Sequence, residues 1–82
     1  MTPEQFRVWR DLMGWTRSMA ADQLGLSYSA VENYERGTRR DDGTVVVIPH
    51  YVELACAALA LNIKSYDGSD RLVFDLKRIA RD

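Results

Sequence analysis

Apolar residues fall along this chain in short runs of helical period, each closed by a glycine or a polar break. Phe6, Trp9, Leu12 and Met13 recur at helical spacing behind Thr2-Pro3-Glu4-Gln5. That start supplies a hydroxyl N-cap, a proline at the first helical position and an acid in the first turn. The pattern predicts a first helix ended by Gly14, with those four apolar residues as its buried stripe. Thr16 is a second N-cap, and Ala20, Ala21 and Leu24 give the next helix a small-residue face before Gly25 stops it. Leu26-Ser27 then makes a turn, with Ser27 capping a third helix from Tyr28 to about Arg36. Ala30, Val31 and Tyr34 share one face of that helix, while Tyr28, Ser29, Glu32 and Asn33 occupy the other. Gly37 supplies its C-terminal stop.

The helical period breaks over residues 38–49. Asp42-Gly43 is a turn signal, and Thr44 to Ile48 is a β-branched run. Such a run can form an edge strand, a hairpin arm or an extended loop that buries Ile48, and the extended loop is expected. Pro49 begins a fourth helix whose Val52, Leu54, Ala55, Ala58, Leu59 and Leu61 form a broad apolar band, ended at Asn62. In the tail, Ser69 is a cap and Leu72, Leu76 and Ile79 fall at helical spacing. A fifth helix is predicted there, with a strand at Leu72-Val73-Phe74 as the alternative. The fold class is therefore all-α: four to five short helices in one domain spanning 1–82, with a short extended or β segment open at 44–48.

Composition adds exclusions. Cys56 is the only cysteine, so no internal disulfide can form. No apolar run reaches the roughly 18 residues of a membrane span, and the charged start MTPEQFRVWRDL does not fit a signal peptide. A cytoplasmic, non-membrane protein is expected. His50 stands alone at a helix start and Cys56 lies among alanines, so neither a zinc site nor any other metal or cofactor is expected. No nucleophile motif or phosphate loop points to an enzyme. The formal net charge of −1 does not advertise nucleic-acid binding. The arginines are uneven, however: Arg36, Arg39 and Arg40 cluster after the third helix, and Arg7, Arg10 and Arg17 precede it. Phosphate binding depends on such a local face rather than on the total.

With that register, GWTRSMAADQLGLSYSAVENYERGTR resembles the helix-turn-helix of the phage-repressor (Cro/XRE-like) DNA-binding family. The resemblance runs from about Phe6 to Arg39, with the helix-turn-helix itself at about 16–36, and IPHYVELACAALAL fits the family's following helix. It rests on Arg10 four residues before Gly14, on Thr16-Arg17 at the second helix start, on Ala21 at the small position, on Gly25 in the turn, on Ser27 at the cap and on the closing Glu35-Arg36-Gly37. The resemblance implies that Arg10 and Glu35 form a structural ion pair rather than touching DNA.

It also implies that the third helix enters the major groove of double-stranded DNA and reads base edges near its N-terminus. Tyr28, Ser29, Glu32 and Asn33 are the readers: Asn33 suits adenine, Glu32 suits cytosine, and Tyr28 suits a thymine methyl or a phosphate. Glu32 is unfavourable near phosphates unless a base donor or an arginine meets it. Thr16, Arg17 and Ser27 lie at helix N-termini that suit phosphates, and Arg36, Arg39 and Arg40 reach the backbone beyond. A homodimer on a palindromic operator is expected, acting as a phage- or bacterial-type repressor, with autoregulation in keeping with compact members of the family. Its contact surfaces would be Val45 and Val47, or the element at 63–82 with Leu72, Phe74 and Leu76; either set can instead complete the monomer's core. The competing reading is a protein-interaction module of the same fold, such as an antitoxin-like regulator that binds a partner protein.

Overall fold

A computed structural model describes residues 1–68, which form four helices: α1 (Pro3–Met13), α2 (Arg17–Leu24), α3 (Tyr28–Arg36) and α4 (His50–Ala60). The first three share one way of starting. Thr2, Thr16 and Ser27 each adopt extended backbone and accept an N–H three residues on, from Gln5 at 3.1 Å, Met19 at 3.2 Å and Ala30 at 3.1 Å. Gln5 returns the bond at α1, its Oε1 accepting the Thr2 N–H at 2.8 Å, so two orphan donors are satisfied reciprocally. α2 and α3 end on Gly25 and Gly37 in the left-handed region, at φ 68° and 81°. That geometry lets the chain reverse within Gly25-Leu26-Ser27 and set α3 across α2.

α3 packs on both α1 and α2, and α2 packs on α4. The core between them is Phe6, Trp9, Ala20, Ala21, Val31, Tyr34, Ile48, Val52, Cys56 and Leu59. Phe6 lies at its aromatic centre, with ring centroids 5.3 Å from Trp9 and 6.0 Å from Tyr34. Ala20 and Ala21, both buried, carry side chains short enough for close helix approach. Trp9 also donates its indole N–H to the Cys56 carbonyl at 3.0 Å, which ties α1 to α4. Burial pushes the Cys56 thiol up to about 11, so it stays a neutral core group.

Several sequence expectations need correction. Leu12 is 83% exposed rather than part of the α1 stripe. At about 100° per residue it lies roughly 120° around the helix from Phe6, beyond the edge of the buried face. Leu54 and Leu61 are likewise exposed, because α4 buries the line Val52, Cys56, Leu59 and these two leucines project from its far side. Pro49 is the N-cap of α4 rather than its first residue, and the helix closes at Ala60 with Leu61 as its cap.

Residues 44–48 are extended and form no strand; the pairing is a single antiparallel bridge between Thr38 and Val45. Arg39 N–H to Thr44 O at 2.8 Å and Val46 N–H to Gly37 O at 2.9 Å flank it. The turn below is held by Asp42, whose Oδ1 accepts from the Thr44 N–H at 2.9 Å and hydroxyl at 2.7 Å. Alternation then buries Ile48 and leaves Val45 and Val47 exposed. The expected fifth helix, with Ser69, Leu72, Phe74, Leu76 and Ile79, lies outside the described residues.

Gly37 is the least replaceable of these caps. A Cβ there would sit 3.2 Å from Pro3 Cγ as well as on a left-handed backbone. Gly37→Ala should therefore cost about 1–2 kcal/mol from the backbone alone. Urea denaturation measures it, and an unchanged midpoint would contradict this account of the α3 terminus.

Candidate nucleic-acid interface

The interface is organised around a buried carboxylate. Glu35, on the last turn of α3, is only 3% exposed. Arg10 of α1 meets it with two bonds, Nε to Oε2 at 2.5 Å and Nη2 to Oε1 at 3.1 Å. Arg17 of α2 adds Nε to Oε1 at 3.2 Å. Arg7, one turn before Arg10, donates to the Glu35 backbone carbonyl, one of the orphan acceptors of a helix end. Arg10 further donates to the Trp15 carbonyl at 3.0 Å, while Trp15 packs edge-on against Trp9 at 5.7 Å. Burial pushes the Glu35 carboxyl up, but hydrogen bonds and charge from Arg10 and Arg17 outweigh it and hold the group below its ordinary range.

With α3 fixed in this way, its polar face is presented outward. Ser29, Glu32 and Asn33 line a surface depression of about 470 Å³ together with Arg39, Arg40 and Asp41 of the following loop. The Asp42 turn and the Thr38–Val45 bridge fold that loop back beside the helix. Thr16, Arg17 and Tyr28 line a second depression, of about 330 Å³, with Arg10 and Ser18 at the start of α2. A third, of about 300 Å³, is lined by Arg17, Glu32 and Arg36 with Arg7 and Glu35.

Each predicted site residue can now be placed. Thr16 and Ser27 use their hydroxyl oxygens as caps, and each keeps an O–H to donate. Arg17 is 45% exposed and is engaged with Glu35 first and Tyr28 second, both of which raise its pKa. It is thus a scaffold residue as well as one that lines the α2 start. Arg36 donates to the Asn33 side chain and to the Thr38 carbonyl, both at 3.1 Å. Arg39 lies 3.7 Å from Asp41 at an exposed site. Glu32 borders two depressions, with Arg7, Arg17 and Arg36 on one side and Arg39 and Arg40 on the other. Sequence reasoning did not assign Arg7 a role, although its i, i+3 spacing from Arg10 places the two on one face. Trp15 and Ser18 were also missed, and no periodic signal marks either.

Among the described residues, no group of three or more His, Cys, Asp or Glu side chains stands together as a metal site. Nor is any helix there long and apolar enough to cross a membrane. The arrangement sets hydroxyl, amide and guanidinium donors, with the Glu32 and Asp41 carboxylates among them, along the outer side of α3 and the start of α2, which is chemistry for an extended polar and anionic partner.

Short capped helices joined by a tight turn, with a polar outer face, define a helix-turn-helix. Residues 6–45 match the pattern of the family described as Helix-turn-helix, from within α1 to the Thr38–Val45 bridge. Over these residues, just under half of the chain, the match supports the Cro/XRE-like helix-turn-helix family, whose domain is a DNA-binding regulatory one. No curated protein and no solved structure matches the chain.

The buried carboxylate gives a pH test. A carboxyl held below its unfolded pKa contributes stability that is complete above the unfolded value, here ordinarily 4.5, and is lost as the pH falls through the folded value. Glu35→Gln should cost roughly 3 kcal/mol near neutral pH, the lower end for a broken buried pair because Arg10 and Arg17 keep access to water. The gap between wild type and variant should narrow as pH drops below 4.5. Denaturant titrations at several pH values measure it; a gap independent of pH would mean that Glu35 is not ionised in the fold.

Proposed function

We propose that this chain is a sequence-specific transcriptional regulator that acts as a homodimeric repressor of phage or bacterial type on a palindromic operator. The observation that carries the reading is the first depression. It joins the polar side chains of α3, Ser29, Glu32 and Asn33, to Arg39 and Arg40 on the adjacent loop. In the proposed complex α3 lies in the major groove, and Tyr28, Ser29, Glu32 and Asn33 meet base edges. Arg36, Arg39 and Arg40 flank them toward the phosphates, while Thr16, Arg17 and Ser27 offer donors at the starts of α2 and α3. Glu32 is tolerable there because the arginines on both sides offset its charge, and it accepts from a cytosine amino group.

One module of this size covers one half-site, and two-fold symmetry sets the second about one helical turn away. Exposed Val45 and Val47 support a contact between two copies. They equally support the second reading, in which the same apolar surface receives a partner protein.

Selection from a random duplex library, followed by titration of the winning sequence, tests this. Asn33→Ala should lower the preference for the selected site while leaving the fold intact. Arg39→Ala with Arg40→Ala should weaken all sequences alike and flatten the plot of log affinity against log salt by about 0.9 per phosphate contact removed. Failure to enrich any two-fold symmetric sequence, with binding indifferent to salt, would sink the repressor reading.

A further inference from the structure

We propose that Arg36 is a positioning residue for base readout: it fixes the Asn33 amide so that the nitrogen, not the oxygen, is presented to the DNA. The inference rests on the DNA-reading role proposed above and sharpens it to one side chain. Arg36 Nη1 spends its two hydrogens on Asn33 Oδ1 and on the Thr38 carbonyl, each at 3.1 Å. Asn33 is its i−3 neighbour on α3, so the two side chains meet on one surface. The Thr38 carbonyl is itself held, because Thr38 bridges to Val45 and the flanking Arg39 and Val46 N–H groups bond across the loop. The guanidinium thus clamps a half-buried amide to a fixed piece of backbone.

The direction of the clamp has a chemical consequence. An unrestrained asparagine can rotate its amide and offer either a donor or an acceptor to a base edge. With Oδ1 turned to Arg36, the amide nitrogen faces the opposite way. The two side chains also border different depressions: Asn33 lines the one shared with Ser29, Arg39 and Arg40, while Arg36 lines the one shared with Arg7 and Arg17. A donor presented in this way favours bases with a major-groove acceptor, such as guanine N7 and O6 or thymine O4. It disfavours cytosine, which offers only its N4 donor there. Adenine remains acceptable through N7, but the paired contact that an unrestrained asparagine makes with it is no longer the preferred one.

The test pairs a measurement on the free protein with one on DNA. In the free protein, the nitrogen-15 side-chain amide signals of Asn33 should shift in Arg36→Met and stay in place in Arg39→Met, a matched loss of charge without a bond to Asn33. On DNA, Arg36→Met should reduce a preference of about tenfold or more at one base pair per half-site to about twofold or less. Asn33→Ala should relax the same base pair, and combining the two substitutions should add nothing. Arg39→Met should instead weaken every sequence alike. Thermal unfolding of each variant confirms that the fold persists, as the exposure of Arg36 and Arg39 leads one to expect. The proposal is overturned if the Asn33 amide ignores Arg36→Met, or if Arg36→Met, like Arg39→Met, leaves the base preference intact. It also falls if the two substitutions relax different base pairs additively. Should the wild-type chain enrich no sequence, the DNA-reading role fails and this one with it, while the amide signals still report separately whether the clamp exists.

Discussion

Placing a charged carboxylate at 3% exposure costs several kcal/mol unless its oxygens are met by donors. Glu35 is in that position, and the way its cost is met ties the first three helices together. Arg7 and Arg10 come from α1, Arg17 comes from α2, and the carboxylate belongs to α3. The bidentate contact with Arg10 is directional, so it fixes the rotation of α3 about its own axis as well as its distance from α1. Hydrophobic packing of Phe6, Val31 and Tyr34 supplies the driving force for association, but it is non-directional and tolerates small rotations. The ion cluster removes that freedom. Which side chains of α3 face outward is therefore settled by the Glu35 cluster, which borders the same depression as Glu32.

The parts of this molecule that were legible in its sequence are those decided by neighbours along the chain. The caps at Thr2, Thr16 and Ser27 follow from a hydroxyl placed before a helical period, and the cap bonds are local. The all-α class follows from the same signals. Leu12, Leu54 and Leu61 misled because hydrophobic identity says only that burial is favourable, and a domain this small lacks the surface to bury every leucine. For α4 the difficulty is sharper. A helix apolar almost all the way round contains no internal statement of which stripe turns inward. The stripe that turns inward is Val52, Cys56 and Leu59, where the Trp9 indole N–H meets the Cys56 carbonyl.

The site divides along the same line. Tyr28, Ser29, Glu32 and Asn33 share a face by helical period, which the sequence states directly. Their company does not follow from period. Arg39 and Arg40 come beside Ser29 and Asn33 only because Asp42 and the Thr38–Val45 bridge turn the loop back. Arg17 reaches Glu35 across 18 residues of chain because of the angle at the Gly25 turn. The Arg36–Asn33 bond is the instructive intermediate. Its i, i+3 spacing was visible, but the carbonyl that completes the clamp belongs to Thr38, beyond the helix.

Arg17 shows how scaffold and interface share material in so small a chain. Its guanidinium serves Glu35 and Tyr28 and also borders the depression at the start of α2. In the proposed complex a phosphate at that depression would meet an arginine already oriented and already stripped of part of its freedom. Binding there would cost less side-chain entropy than binding to an untethered arginine. A ligand that binds only the folded state also stabilises it by mass action. The engagement with Glu35 that draws Arg17 away from solvent is thus compatible with a role at the surface, since a guanidinium has five N–H donors and the carboxylate takes one of them. Economy of this kind follows from size: with a limited core, the residues that orient the helices are also those nearest to the face they orient.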